Sequence, residues 1–340
     1  MLCIKQGAAL LVSAALGLGA ACSAAVAADM AAMPRKAPPI TPWVLDVHGF
    51  VDVTFKNTSV TPRGLMVREY SGLTTQVANG IAIDVYKDPG GFINGISFYA
   101  GTWNDIWSNQ NDVRVGSWAE FDWWVGMSVK FAQHWKFGVE YVEFLPPATV
   151  GGTFPSTERN VEFSLAYDDS HWGNPIVINP YIKLFYAASG PSTVVLGKRG
   201  DTYDVEIGMV PTFDTKKYSG VPLIFSAPTW VTVGPKDYWN RQDGTTNFCG
   251  LLSNQPCATS NAGVFSTGLQ AKYMLEPIIP KRIGSWYVKG GFQYYHILND
   301  ALLGAQVLTG AAGGTSQGGG TFPNAHKDIV IGYGGFGFTF

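Results

Sequence analysis

Charge is scarce in this sequence. Asp, Glu, Lys and Arg make up 14% of its 340 residues, where about a quarter is usual. A formal charge of −2 gives no basic face for nucleic acid and no field to draw an acidic partner. Cysteine is sparser still, at four. Of the five histidines, His48, His134, His171, His296 and His326, none stands in a nucleophile motif. After the N-terminal leader no apolar run approaches the roughly 20 residues of a membrane helix. The Gly332-Tyr-Gly-Gly335 stretch lacks the Lys and the following helix of a phosphate loop. Aromatics, at 14%, and glycine, at 41 residues, are abundant instead. Hydrophobicity spread along a chain without helix-length runs fits a transmembrane β-barrel, whose apolar residues are diluted by alternation. A soluble sandwich shares this balance but carries more surface charge.

The N-terminus reads as a secretory signal. Lys5 precedes an apolar stretch from Ala8 to Ala21, and Val26-Ala27-Ala28 offers small residues for cleavage before Asp29. Lipid attachment at Cys22 is the alternative, although Gly19 stands where that motif has Leu or Val. Residues 29–42 hold four prolines between Pro34 and Pro42 and read as an extended Pro/Ala-rich periplasmic tether. The expected organisation is a signal peptide over 1–28, the tether over 29–42 and a barrel over 43–340.

Strand one, Val44–Lys56, shows the pattern. Leu45, Val47, Val51, Val53 and Phe55 share one face; Asp46, His48, Asp52, Thr54 and Lys56 share the other, with Phe50 the exception. Trp118–Phe131 and His134–Phe144 repeat it and form a hairpin around Ala132-Gln133. Further strands are expected over Leu73–Tyr86, Phe92–Trp103, Asn160–Asp168, Ile178–Ala187, Tyr203–Phe213, Val221–Val233, Val264–Leu275, Trp286–Ile297 and Asp328–Phe340. Pro222 and Pro228 weaken the Val221–Val233 ladder. Twelve strands result, each near or above the roughly 9–11 residues that cross a bilayer at a tilt.

Links after even strands are short and links after odd strands are long. Bacterial barrels place short turns in the periplasm and long loops outside, with an even strand number. The fifth long loop carries Cys249 and Cys257, and export through an oxidising periplasm favours a disulfide between them. Such a short ring is worth roughly 2–3 kcal/mol in the chain-entropy treatment. Zinc ligation matches no known spacing here. The sixth loop holds the Gly-rich segment 313–321, which either waves in solvent or folds inward. Trp43, Trp103, Trp107, Trp118, Trp135 and Trp286 sit near strand ends, where interfacial girdles place aromatics.

The strand Glu120-Phe-Asp-Trp-Trp-Val-Gly126, the aromatic strands after it, the final Phe and the leader from Asp29-Met to Lys36-Ala-Pro-Pro39 resemble TorF-type porins of alphaproteobacteria. The resemblance is one of pattern over most of the mature chain. It implies a porin-like barrel and no particular substrate. Phe336, Phe338 and Phe340 look like the C-terminal signal read by the barrel-assembly machinery. A last strand left unpaired would be a sticky edge, and closure onto strand one removes it.

Inward positions are expected to be Asp46, His48, Asp52, Lys56, Asp84, Glu120, Asp122, Lys130, Lys136, Glu140, Glu162, Lys183, Asp204, Glu206, Lys272 and Lys289. This mixed wall, slightly acidic, predicts weak cation preference. Opposite charges that pair across a narrow barrel would plug it instead. The expected function is passive diffusion of small hydrophilic solutes through the outer membrane, with no cofactor, metal or catalytic residue. The alternatives are a closed structural or adhesive barrel presenting loops five and six, and a lipid-modifying enzyme, for which His296, on the lipid face near the outer rim, is the placed histidine.

Overall fold

A computed structural model describes residues 44–61, 63–64, 66–68, 72–108, 117–145, 157–189, 202–240, 242–243, 246–247, 257–309 and 325–340. The expected signal peptide, tether, Gly-rich segment 313–321 and Cys249 lie outside them. Cys257 is described and is not without a partner.

Twelve antiparallel strands form a closed ring in chain order. They are β1 (Asp46–Lys56), β2 (Thr74–Lys87), β3 (Ile93–Trp107), β4 (Trp118–Phe131), β5 (Trp135–Leu145) and β6 (Glu158–Tyr167). Then follow β7 (Ile176–Val177 and Pro180–Ser189), β8 (Thr202–Met209 and Thr212–Asp214), β9 (Leu223–Ser226 and Thr229–Val233), β10 (Ala262–Met274), β11 (Ser285–Ile297) and β12 (Asp328–Thr339). Phe50 to Lys56 of β1 pair with Thr339 to Tyr333 of β12, and Gly49 and Phe340 exchange both backbone hydrogen bonds at 3.0 Å. The terminal strand thus has no free edge.

Three neighbouring strands are each broken once, at the same level of the wall. β7 breaks at Ile178-Asn179, with Asn179 at φ +50°. β8 breaks at Val210-Pro211 and β9 at Ala227-Pro228. The breaks brace one another: Val210 N–H donates to Ile178 O at 3.0 Å, and Ala227 N–H to Pro211 O at 2.9 Å. Proline cannot donate to a ladder, so aligning the prolines confines the lost bonds to one seam. The 131–135 hairpin carries three loop residues rather than two. Phe131 pairs with Trp135, Ala132 and Gln133 take φ of +47° and +69°, and the Gln133 N–H donates to Asn94 Oδ1 at 2.7 Å.

Several strands outrun their sequence-based ends, and two of these extensions carry interior carboxylates. β3 continues past Trp103 to Trp107, and β6 begins at Glu158 rather than Asn160. Both extensions lie at the end of the ring that bears the long loops. There α2 (Lys236–Trp239) of loop five and α3 (Asp300–Thr309) of loop six fold against the wall; α1 (Lys216–Ser219) sits in a short turn at the other end. Asn299 caps α3 by accepting the Ala301 N–H at 3.1 Å. Val60 of loop one, Tyr238, Trp239, Leu302, and the wall residues Val264, Tyr295, Ile297, Ile329 and Ile331 make one buried apolar cluster.

Candidate functional site: the interior of the barrel

Residues directly opposite in an antiparallel pair share a face. From Asp52 the register runs through Ala78, Trp103, Asp122, Phe144 and Glu158. The opposite face carries exposed Val47, Ile81, Phe98, Val125, Phe137, Ile182, Ile207, Leu269, Val288 and Phe336. The apolar face is therefore outward and the polar face inward. Asp46, His48, Asp52, Lys56, Asp84, Glu120, Asp122, Lys130, Lys136, Glu140, Glu162, Lys183, Asp204, Glu206, Lys272 and Lys289 all stand on the inward face of this register.

Phe50 shares that face, its ring lying over Gly80. So do Trp103 and Trp107, the latter 4% exposed. These two tryptophans are interior residues, which corrects their assignment to an interfacial girdle. Trp118, Trp135 and Trp286 are outward or exposed. His134, half-buried, and His171, exposed, meet at the short-turn end, stacked at 3.6 Å between ring centroids.

The interior charge is sorted along the axis. Toward the short turns lie Lys130 opposite Lys136, Lys272 opposite Lys289, and a cluster of Asp46, His48, Asp84 and Lys87. Toward the long loops lie Asp105, Glu120, Asp122, Glu158, Glu162, Asp204 and Glu206. Asp105 and Glu158 belong to the two strand extensions, which is why the sequence reading left them in loops.

Between these regions Asp52 forms a compact network. Its carboxylate accepts from Lys289 Nζ and Tyr287 Oη, both at 2.6 Å, and from Thr54 at 2.8 Å. Asp52 is on β1 while Lys289 and Tyr287 are on β11, so these two contacts span β12. They are possible because β12 offers Gly337 there: a Cβ at Gly337 would stand 2.5 Å from Tyr287 Oη. Toward the end of the last strand the Gly-Phe alternation keeps Phe336 and Phe338 outward and leaves room inward at Gly335 and Gly337, whereas Tyr333 stands inward.

Loops also contribute interior residues that no strand period announces, and Arg63 is a charged one. Arg63, in loop one, is 2% exposed. Its Nε lies 3.2 Å from Asp204 Oδ1 and its Nη2 3.6 Å from Glu162 Oε1. The guanidinium lies 4.1 Å from the centre of the Phe185 ring and 6.0 Å from that of Phe144, within cation–π reach. Tyr238 of loop five hydrogen-bonds Asp204 from the same side. Burial alone would lower the Arg63 pKa, but Tyr238, Asp204, Glu162 and Glu158 around it outweigh that and raise it, so its charge is fixed. Among the described residues, Arg63 Nη2, Asn160 Oδ1, Thr202 Oγ1 and Asp204 Oδ2 are buried without a hydrogen-bond partner. A polar recess of this kind is what ordered water fills.

His296 is outward at the long-loop rim, as expected. Its Nδ1 lies 2.6 Å from Asp328 Oδ1, an oxygen that also accepts from Tyr294 Oη at 2.5 Å. Among the described residues these hydrogen bonds supply a carboxylate and a phenol but no Ser hydroxyl to the imidazole.

No protein-family model matches this sequence, and no curated protein does. Among solved structures, the chain is similar to the transport unit of the autotransporter AIDA-I from Escherichia coli, at 11% identity over 86% of this chain and 90% of that one, with a TM-score of 0.37. It is similar to a bacterial polysaccharide outer membrane secretin at 10% identity over 86% and 97% of the two chains, with a TM-score of 0.38. A Pseudomonas aeruginosa FadL homologue shares 8% identity over 86% and 88%, with a TM-score of 0.29. At these scores the likeness identifies no cargo; the fold rests on the closed register itself.

Proposed function

We propose that this chain is a porin-like channel of a Gram-negative outer membrane that passes small hydrophilic solutes or ions by diffusion, with weak cation preference. The observation that carries the reading is a closed ring of twelve strands with an apolar outside and a charged inside. Such a ring satisfies its backbone without water and so suits hydrocarbon. The short turns then face the periplasm and the long loops the exterior. The cleaved leader, the Pro-rich tether, a Cys249–Cys257 bridge in loop five, recognition by the barrel-assembly machinery and the absence of catalysis belong to the same reading. Cation preference follows from the acidic long-loop half, where Arg63, Lys56 and Lys183 are the bases placed against seven carboxylates.

Planar-bilayer recording of the purified barrel tests this. Discrete conductance steps, with a reversal potential favouring K⁺ in a KCl gradient, are expected. Heat-modifiable, folded protein that gives no channels would overturn the pore reading. It would leave the closed barrel presenting its loops, which the apolar cluster of Val60, Tyr238, Trp239 and Leu302 at the long-loop end would then serve.

A further inference from the structure

We propose a divalent transition-metal site at the short-turn mouth of the barrel, formed by His48, Asp46 and Asp84. Each offers one ligand atom, and these atoms lie within 4.8 Å of one another. Asp46 and His48 are alternate residues of β1, and Asp84 is directly opposite Asp46 on β2, so the ladder brings all three to one face. His48 Nε2 lies 3.2 Å from Asp84 Oδ1. Two ligands of a tetrahedral ion with bonds of about 2.0–2.1 Å stand about 3.3 Å apart, so this pair already has the required spacing. Asp46 Oδ1 lies 4.0 Å from the His48 ring, at Nδ1. Its side chain is 49% exposed and stands at the start of the strand, open to an arriving ion.

The two carboxylates are held from behind. Lys87 Nζ contacts Asp46 Oδ2 at 2.6 Å and Asp84 Oδ2 at 3.0 Å. The Oδ1 atoms of both are the ones on the imidazole side. A group that binds the outer oxygen of a carboxylate and fixes the inner one is the arrangement that supports metal ligands. Lys87 also leaves a net charge of −1 on the two carboxylates plus ammonium. Ser97 Oγ donates to Asp84 Oδ1 at 2.5 Å and fixes that side chain's rotation. One imidazole with two carboxylates suits Zn²⁺ or Cu²⁺ and disfavours Mg²⁺ and Ca²⁺, which take oxygen ligands alone. His48 is 41% exposed, so an arriving ion reaches the site without opening the fold.

The site does not depend on the channel reading, because binding is measurable on a barrel that conducts nothing. The test is isothermal titration of ZnCl₂ into the folded, detergent-solubilised full chain, with MgCl₂ as comparator. A single saturable Zn²⁺ site is expected in the micromolar range, with at least tenfold weaker Mg²⁺ binding. His48→Ala is expected to weaken Zn²⁺ binding tenfold or more, and Asp84→Asn to weaken it too. Replacing the stacked histidine pair, His134→Ala with His171→Ala, is expected to leave it within twofold. Heat-modifiable migration shows that each variant is folded. Zn²⁺ binding by His48→Ala equal to the unmodified chain, or no saturable binding by the unmodified chain, overturns the proposal.

Discussion

Arg63 Nε stands 3.2 Å from Asp204 Oδ1, two residues 141 positions apart in the chain. The contact ties loop one to β8 inside the barrel and sets a positive charge among carboxylates. Removing one partner of a buried pair leaves the other uncompensated, at a cost of about 3–5 kcal/mol. Arg63→Met is therefore expected to lower stability by that order, read as the urea midpoint of the detergent-folded barrel. Arg63→Met with Asp204→Asn is expected to recover part of the loss. In bilayers Arg63→Met is expected to raise both conductance and cation selectivity, since it removes a base from an acidic wall and a side chain from the lumen. Unchanged selectivity would show that Arg63 does not border the ion path.

The Arg63–Asp204 contact also marks where sequence reading stops. Strands were legible because a two-residue period puts Val47, Val51 and Val53 on one side of β1 and Asp46, His48 and Asp52 on the other, and each strand repeats that local rule. The alternation of short and long links was legible for the same reason. Arg63 sits in Thr61-Pro-Arg-Gly64, where local composition says only "loop". Its partner lies on a strand seven places round the ring, and no period connects them. Asp105 and Glu158 were missed because β3 and β6 run on past the expected ends. A weak signal for α3 was present: Asn299 before an Ala/Leu-rich segment, the usual N-cap order. The aligned breaks at Pro211 and Pro228 needed the register to be seen as one seam.

Gly337 on β12 separates crowding from mere glycine content. A Cβ there would meet Tyr287 Oη and Val51 O at 2.5 Å each, whereas at Gly332 of the same strand it would meet nothing within 4 Å. Gly337→Ala is expected to displace Tyr287 from Asp52 and cost roughly 1–3 kcal/mol, the range for overpacking. Gly332→Ala is expected to cost little. The temperature at which each variant loses its heat-modifiable gel shift compares the two. Equal effects would mean that strand propensity, and not the Tyr287–Asp52 crossing, governs the cost.

Asp169 gives the turn between β6 and β7 a pH dependence. Burial raises its pKa, but its carboxylate accepts the backbone N–H of Asn179 at 2.8 Å and of Ile178 at 2.8 and 3.0 Å, and the net shift is downward. A folded pKa below the unfolded one stabilises above the unfolded value, about 3.9, and the contribution is lost as pH falls through the folded value. Asp169→Ala is expected to cost about 1–3 kcal/mol at pH 7, with the gap from the unmodified chain narrowing below about pH 4. Urea unfolding at pH 7 and pH 3 measures it. A gap that is the same at both values would show that the carboxylate charge contributes nothing.

Phe340 serves the ladder through its backbone and the outer surface through its ring. Its N–H and C=O bond Gly49 at 3.0 Å each, its side chain is 59% exposed, and its ring lies 6.1 Å from that of Phe338. Deleting it removes both bonds but leaves the seven register pairs from Phe50–Thr339 to Lys56–Tyr333, enough to close the barrel. Refolding into detergent is therefore expected to survive the deletion. Assembly in cells is expected to fall, with protein accumulating in the periplasm, if the terminal ring is read by the assembly machinery. Phe340→Ala separates the two roles, because it keeps both hydrogen bonds and removes the ring. It is expected to impair assembly about as much as the deletion does, and the fraction that assembles is expected to conduct like the unmodified chain. Normal assembly of Phe340→Ala beside failure of the deletion would assign the whole effect to strand closure and none to recognition of the ring.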